Sequence, residues 1–279
     1  GLLMIIITLA IGAFLCYKGV GTFTTYGHSV GEFLFSSQWA PADNAQGGGK
    51  VGAAIFIFGS IITCALALLI STPFSIASAI FMTEISPGIG RKILQPAVEI
   101  FVGIPSVVYG WIGLTILVPF IKDLFDLKFG FSVLAAGIVL AVMIYPTITS
   151  LSADAIRSIP KSFRQASYGL GATRWQTISQ VVIPASKSGL MTAIVLGLAR
   201  AFGEALAVAM VIGKMKAFPE SLLSPTTNLT AAIASDMGGA MEGSEYNIAL
   251  WSMALLLFII SLVFIFIIHY ISAKGGHKA

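Results

Sequence analysis

Apolar residues fall along this chain in long blocks, separated by polar stretches of very unequal length. A helix needs about 20 such residues to cross the hydrocarbon core of a bilayer. Six blocks fit, at residues 2–17, 53–81, 100–121, 131–151, 189–212 and 248–271. The first is short, starts at Gly1 rather than Met and has no basic flank, so residues are expected ahead of it. A signal peptide fits less well, because no small-residue cleavage site follows convincingly. Aromatic pairs, Tyr109 with Trp111 and Trp251 near Tyr246, are expected at the membrane–water interface. Pro73, Pro105 and Pro146 are candidate kinks, although packing explains them equally well. The pattern predicts an all-α, polytopic membrane protein with six spans, forming a single domain over residues 1–279.

Composition supports this. Hydrophobic residues make up 57% of the chain, and the mean hydropathy is +0.93. Charged residues are 10%, where a soluble domain carries roughly 25%. Sixteen basic and twelve acidic side chains cannot cover a soluble globule of 279 residues. A soluble enzyme is thereby excluded, and so is a disordered chain. The net charge of +4 reads as basic residues kept on the cytoplasmic side, and no nucleic-acid partner is expected. Cys16 and Cys64 both lie in apolar blocks and read as core thiols.

Basic residues also set the orientation. Arg91, Lys92, Arg157, Lys161, Arg164, Arg174, Lys187, Lys274 and Lys278 fall on one side, and Lys18, Lys50, Lys122, Lys128, Lys214 and Lys216 on the other. That bias places both termini in the cytoplasm. It leaves two outer loops, about 18–52 and 213–247, and a cytoplasmic loop, about 152–188. The first outer loop, with Gly47-Gly48-Gly49, reads as irregular.

Catalytic chemistry is sparse. Gly47-Gly48-Gly49-Lys50 resembles the end of a phosphate-binding loop, but Asn44 and Val51 break its spacing. His28, His269 and His277 are isolated, no metal site is expected, and no nucleophile-elbow serine appears. The chain is therefore read as a non-enzyme with no cofactor of its own.

The segment 152–188 is long for a mere link. Pro160 can open a helix there, and Phe163, Ala166 and Leu170 follow at helical spacing. Gly169 and Gly171 punctuate it, and a second amphipathic piece with Trp175, Ile178, Val181 and Val182 ends at Pro184. Two surface helices are predicted. They are either a basic patch near anionic lipid or a docking element for a cytoplasmic partner.

Gln165-Ala166-Ser167, three residues, Gly171, nine residues, then Val181-Val182-Ile183-Pro184 resembles the EAA loop of ABC importer permeases. The spacing matches throughout, while Gln165, Ser167, Val181 and Ile183 depart in identity. Gln165 loses the family's negative charge there. The run from Glu99 to Gly110, the stretch Ala79-Ile80-Phe81-Met82-Thr83-Glu84 and the motif Arg200-Ala201-Phe202-Gly203-Glu204 resemble phosphate-specific permeases. Phe33-Leu34-Phe35 and Trp39-Ala40-Pro41 are closer to the PstC-type subunit than to its PstA-type partner. The resemblance implies a type I ABC importer permease fold in a bacterial inner membrane. It implies a second homologous permease, two ATPase subunits holding ATP and Mg, and an outer phosphate-binding protein. It also implies that Gln165, Ala166, Ser167, Gly171 and Pro184 couple the chain to an ATPase.

Arg200 and Glu204 fall inside the fifth block, four residues apart, where they are expected to share one helix face. An ionised side chain at such depth costs about 2.5–3.5 kcal/mol and marks a polar pathway by default. The order, base before acid, is the less favourable one for a helix. A buried ion pair that fixes packing remains the other explanation. Arginine presents a planar fork to phosphate oxygens, and Glu204 is expected to hold it when no anion is bound. Gly197 and Gly203 are expected to admit a neighbouring helix. Glu99 is expected at the inner end of the third span and Glu84 just beyond the second. The competing functions are a permease for another oxyanion and an ion-gradient-driven carrier.

Overall fold

The computed structural model describes residues 2–276, and the side chains of residues 3–271. His277, Lys278 and the side chain of Lys274 lie outside the described residues. Among the described residues, six helices are long and apolar enough to cross a membrane. They are Leu3–Thr24, Ala54–Ile85, Ser106–Leu124, Val133–Arg157, Arg174–Gly203 and Glu245–Ile271. All six predicted spans are present, but three boundaries differ for local reasons.

The third span begins at Ser106, not near residue 100. Pro105 disfavours helical geometry in the residue before it, and Ile104 is extended at φ −70° and ψ 127°. The preceding piece, Gln95–Gly103 (α1), is a separate helix, and Glu99 accepts from Gln95 on it. The fourth span continues to Arg157, because Ala153 and Ile156 extend its buried face past the apolar block. The fifth apolar block is not one helix. It breaks at Gly203, and Leu206–Val211 follows as a separate short helix. Glu204 stands in the break, where its Oε1 accepts from Ala207 N at 3.1 Å and its carbonyl accepts from Thr230 Oγ1 at 2.7 Å.

The chain forms two compact units, each assembled from separated stretches. The first takes the chain up to Ala65, Ser106–Val139 and Phe202–Leu262. Its core gathers Phe33, Val51, Phe56, Leu229, Leu250 and Met253. A two-stranded hairpin, Trp39–Ala40 (β1) with Lys50–Val51 (β2), lays Trp39 edge-on to Phe56 at 4.8 Å between ring centroids. The Gly-rich tract inside this hairpin is ordered. Gly47 and Gly48 take positive φ, and the N–H groups of Ala42, Gly48 and Gly49 close on the carboxylate of Glu245. His28 Nε2 reaches the same carboxylate at 2.8 Å, while its Nδ1 meets Glu32 at 3.2 Å. Glu245 is 1% exposed. The tract that resembled a phosphate loop therefore holds an anion, and that anion is the chain's own side chain.

The second unit takes Leu66–Pro105, Leu140–Ala201 and the chain from Val263 on. Its core joins Ala79, Ile80, Ala153, Ile156, Ile178, Val182 and Leu190. The fourth-span helix, Val133–Arg157 (α2), meets the fifth-span helix, Ile183–Gly203 (α3), through small residues. A Cβ placed on Gly197 would lie 2.5 Å from Ile148 Cγ1, and one on Gly189 would lie 2.6 Å from Ala155 Cβ. Gly197 thus acts as expected. Gly203 does not, since a Cβ there meets nothing within 4 Å. Tyr109, expected at an interface, is buried, whereas Trp111 is exposed.

Candidate functional site: an arginine at a helix end and a clamped helical segment

Arg200 occupies the last turn of α3. There the negative end of the helix dipole offsets part of its charge. Its Nη1 donates to Thr147 Oγ1 on α2 at 2.6 Å. Among the described residues it forms no ion pair. A guanidinium has five N–H donors, and one neutral hydroxyl leaves the charge uncompensated. Glu204 lies past the end of α3, with its carboxylate turned onto the turn that follows. The unbroken helix on which a shared face was expected is not present, because α3 ends at Gly203. Buried and half-buried hydroxyls accompany α2 nearby in sequence. Tyr145 OH meets Ser78 Oγ at 2.8 Å, and the Tyr145 carbonyl accepts from Ser75 and Thr149.

The segment between the fourth and fifth spans starts with a helix, Lys161–Gly169 (α4), opened by Pro160 as its N-cap. Gly171 ends it at φ +80°. Gly171 N bonds to Tyr168 O, and Ala172 N to Ser167 O. Those two bonds make a Schellman stop, whose left-handed position strongly favours glycine. Thr173 and Gln176 then form a reciprocal capping box that opens the next helical stretch at Arg174. Ser167, buried, meets Thr177 Oγ1 at 2.9 Å and ties the two pieces together. The second piece does not end at Pro184. It runs through a wider π-type turn, Ile178–Val182, into α3, where Pro184 is the second residue. The wider turn re-registers the hydrogen bonds that a proline interrupts.

Gln165 and Ala166 point to solvent, and so do Phe163, Tyr168, Leu170 and Trp175. Leu170 is 90% exposed. A groove of about 530 Å³ runs between Phe163, Ala166, Leu170 and Val181. Such an apolar surface on a polar segment suits a protein partner.

The segment is anchored by residues that motif spacing did not reveal. Arg164 Nε donates to Glu84 Oε1 at 3.0 Å, and its other nitrogens reach the carbonyls of Ile159 and Ile156. Arg174 donates to the carbonyls of Glu84 and Ile85. Glu84, at the end of the second span, is therefore not a free interfacial acid, since its side chain is only 9% exposed. The signal available in sequence was the single acid closing the second apolar block opposite a basic segment.

Residues 71–275 match the family described as "Binding-protein-dependent transport system inner membrane component". The chain belongs to this family. It is 54% identical over 273 residues to the "Probable ABC transporter permease protein YqgH" of Bacillus subtilis (strain 168), covering 98% of this chain and 87% of that one. It is 34% identical over 279 residues to the "Phosphate transport system permease protein PstC" of Haemophilus influenzae, covering 93% and 86%. The Pasteurella multocida protein of that name is 37% identical over 280 residues, covering 92% and 84%. Among solved structures, an inward-facing form of the MetNI methionine ABC transporter superposes with a TM-score of 0.56 at 21% identity. It covers 78% of this chain and 96% of that one, which shows a shared fold. The chain is thus a multi-pass inner-membrane component of a binding-protein-dependent ABC importer, with the type I permease fold. In such a component the clamped segment joins the ends of two spans to an exposed apolar face.

Proposed function

We propose that this chain is the PstC-type permease of an ATP-driven importer for inorganic phosphate, and that it supplies half of the pathway. The observation that carries this is Arg200, a permanent cation in the last turn of the fifth-span helix whose side chain bonds to Thr147 and, among the described residues, to no carboxylate. A cation left without a carboxylate attracts an anion, and its planar fork matches phosphate oxygens. The PstC names of its relatives support the same substrate. Both termini lie in the cytoplasm in this reading, as the placement of basic residues favours.

A second, homologous permease completes the pathway, and a phosphate-binding protein delivers the anion outside. Two ATPase subunits, with ATP and Mg, dock on the face carrying Gln165, Ala166 and Leu170. Ser167 and Gly171 hold that face in shape, and Pro184 begins the span that the movement drives. When the ATPases close, the segment moves and carries the ends of the second, fourth and fifth spans with it. Glu204 spends its carboxylate on the N–H of Ala207 at the start of the next helical piece, rather than on neutralising the arginine.

The test is Arg200→Gln in the reconstituted complex. Assembly should persist while phosphate uptake falls by at least about a hundredfold, as loss of two charge-assisted bonds predicts. Uptake at the wild-type rate by an assembled variant would remove Arg200 from the pathway. Competition by arsenate, but not by sulfate or molybdate, separates phosphate from other oxyanions.

A further inference from the structure

Two lysines follow the short helix Leu206–Val211, and their surroundings differ. Lys216 Nζ lies 2.7 Å from Asp236 Oδ2, donates to Tyr246 OH at 3.2 Å and stands over that ring. Its charge is satisfied inside the fold. Lys214 has no hydrogen bond or ion pair among the described residues. Asp236, the acid beside its neighbour, is already shared by Lys216 and Tyr246.

Lys214 also has an unusual backbone. Its φ is +55°, directly after Gly213 at φ +98°. A residue with a Cβ is disfavoured there, and such outliers persist only where the surroundings enforce them. Thr226, fully buried, does so. Its N–H donates to Ile212 O and its carbonyl accepts from Met215 N, both at 3.1 Å, so the turn is pinned on both sides of Lys214. The pinned turn sets Lys214 at a cavity of about 540 Å³, within the range of small-molecule sites. Val107, Leu114, Phe131, Leu206 and Met210 form apolar walls. Besides Lys214, the polar side chain on the lining is Ser235, whose hydroxyl has no partner among the described residues. A strained turn therefore brings one exposed cation and one exposed hydroxyl, neither with a side-chain partner among the described residues, to the same apolar-walled groove.

We propose that this cavity binds a phosphate-group oxyanion, with Lys214 Nζ and Ser235 Oγ as its ligands. Two sources offer that chemistry. One is free inorganic phosphate, and this arm rests on the function proposed above. The other is the headgroup of an anionic phospholipid whose acyl chain lies along the apolar walls, and this arm is independent of the transported substrate.

The test uses the assembled complex in nanodiscs of phosphatidylcholine, with Lys214→Asn and, as control, Lys216→Gln. Asparagine tolerates the left-handed backbone, so the turn survives while the charge is lost. Lys214→Gly, which relieves the strain, guards against a folding artefact. Binding of radiolabelled inorganic phosphate is measured at equilibrium, and retention of phosphatidylglycerol by native mass spectrometry. Loss of a charge-assisted hydrogen bond should weaken the bound probe by at least about tenfold. An effect on phosphate alone assigns the site to the free anion, and an effect on phosphatidylglycerol alone assigns it to the headgroup. Lys216→Gln should change neither. Unaltered binding of both probes by both Lys214 variants overturns the proposal. Repeating the phosphate measurement with Arg200→Gln separates the two sites, because the Lys214-dependent component should remain.

Discussion

Glu84 and Arg164 give the sharpest test of how the segment between the fourth and fifth spans is held. The change is Glu84→Gln, which keeps the shape of the side chain and removes its charge. In the fold, Arg164 places Nε and Nη2 on this carboxylate, and the two side chains are 18% and 9% exposed. Removing one partner of a buried pair costs about 3–5 kcal/mol. Arg164 keeps the carbonyls of Ile159 and Ile156 and is partly reached by solvent. The expected loss therefore falls to about 2–3 kcal/mol, near that of hydrogen bonds to a charged group. The assay is a four-variant cycle of wild type, Glu84→Gln, Arg164→Gln and the double variant, read by denaturant unfolding of the purified chain. A coupling energy of at least about 1.5 kcal/mol is expected for groups in direct contact. Under the coupling proposed above, the assembled complex should also hydrolyse more ATP per phosphate transported. Additivity within about 0.5 kcal/mol, together with unchanged coupling of ATPase to transport, would refute the clamp.

Two further predictions follow from local geometry. Gly171→Ala should destabilise the segment around α4 by about 1–2 kcal/mol through left-handed strain alone, because a Cβ there meets no atom within 4 Å. Faster hydrogen exchange limited to α4 and its following turn would support this, and an unchanged exchange pattern would contradict it. His28 should stabilise the hairpin unit most at low pH. Burial is the largest influence and lowers its pKa, but bonds to Glu245 and Glu32 together outweigh it and raise the pKa above the ordinary 6.5. A raised folded pKa gives stability that is complete below the unfolded value and disappears as pH rises through the folded one. The stability difference between wild type and His28→Gln should therefore be largest below about pH 6.5 and shrink above it. A difference that is flat or grows with pH would rule out the charged pairing.

Much of the fold was legible along the chain, because a bilayer imposes one strong rule. Long apolar blocks must become helices that satisfy their own backbone, so span number and approximate position follow from hydropathy. Gly171 was also legible, since a helix stopped by a left-handed residue needs a glycine at one fixed offset. The same spacing logic failed at Arg200 and Glu204. It assumed an unbroken helix, and apolar composition carries no sign of a break at Gly203.

The sequence by itself determined the membrane class, the six spans and the helical segment between the fourth and fifth of them. These depend on composition and on offsets of a few residues, which local physics converts directly into helices and turns. Only the tertiary structure decided which polar groups are spent and which are free. Glu245 is spent on the glycine tract, Glu84 on Arg164 and Asp236 on Lys216, while among the described residues Arg200 keeps only Thr147 as a side-chain partner and the Lys214 side chain keeps none. The partners in the three carboxylate contacts lie 196, 80 and 20 residues apart in sequence. No periodicity over a few turns encodes such a distance, so the remaining free charge becomes visible only when the chain is folded.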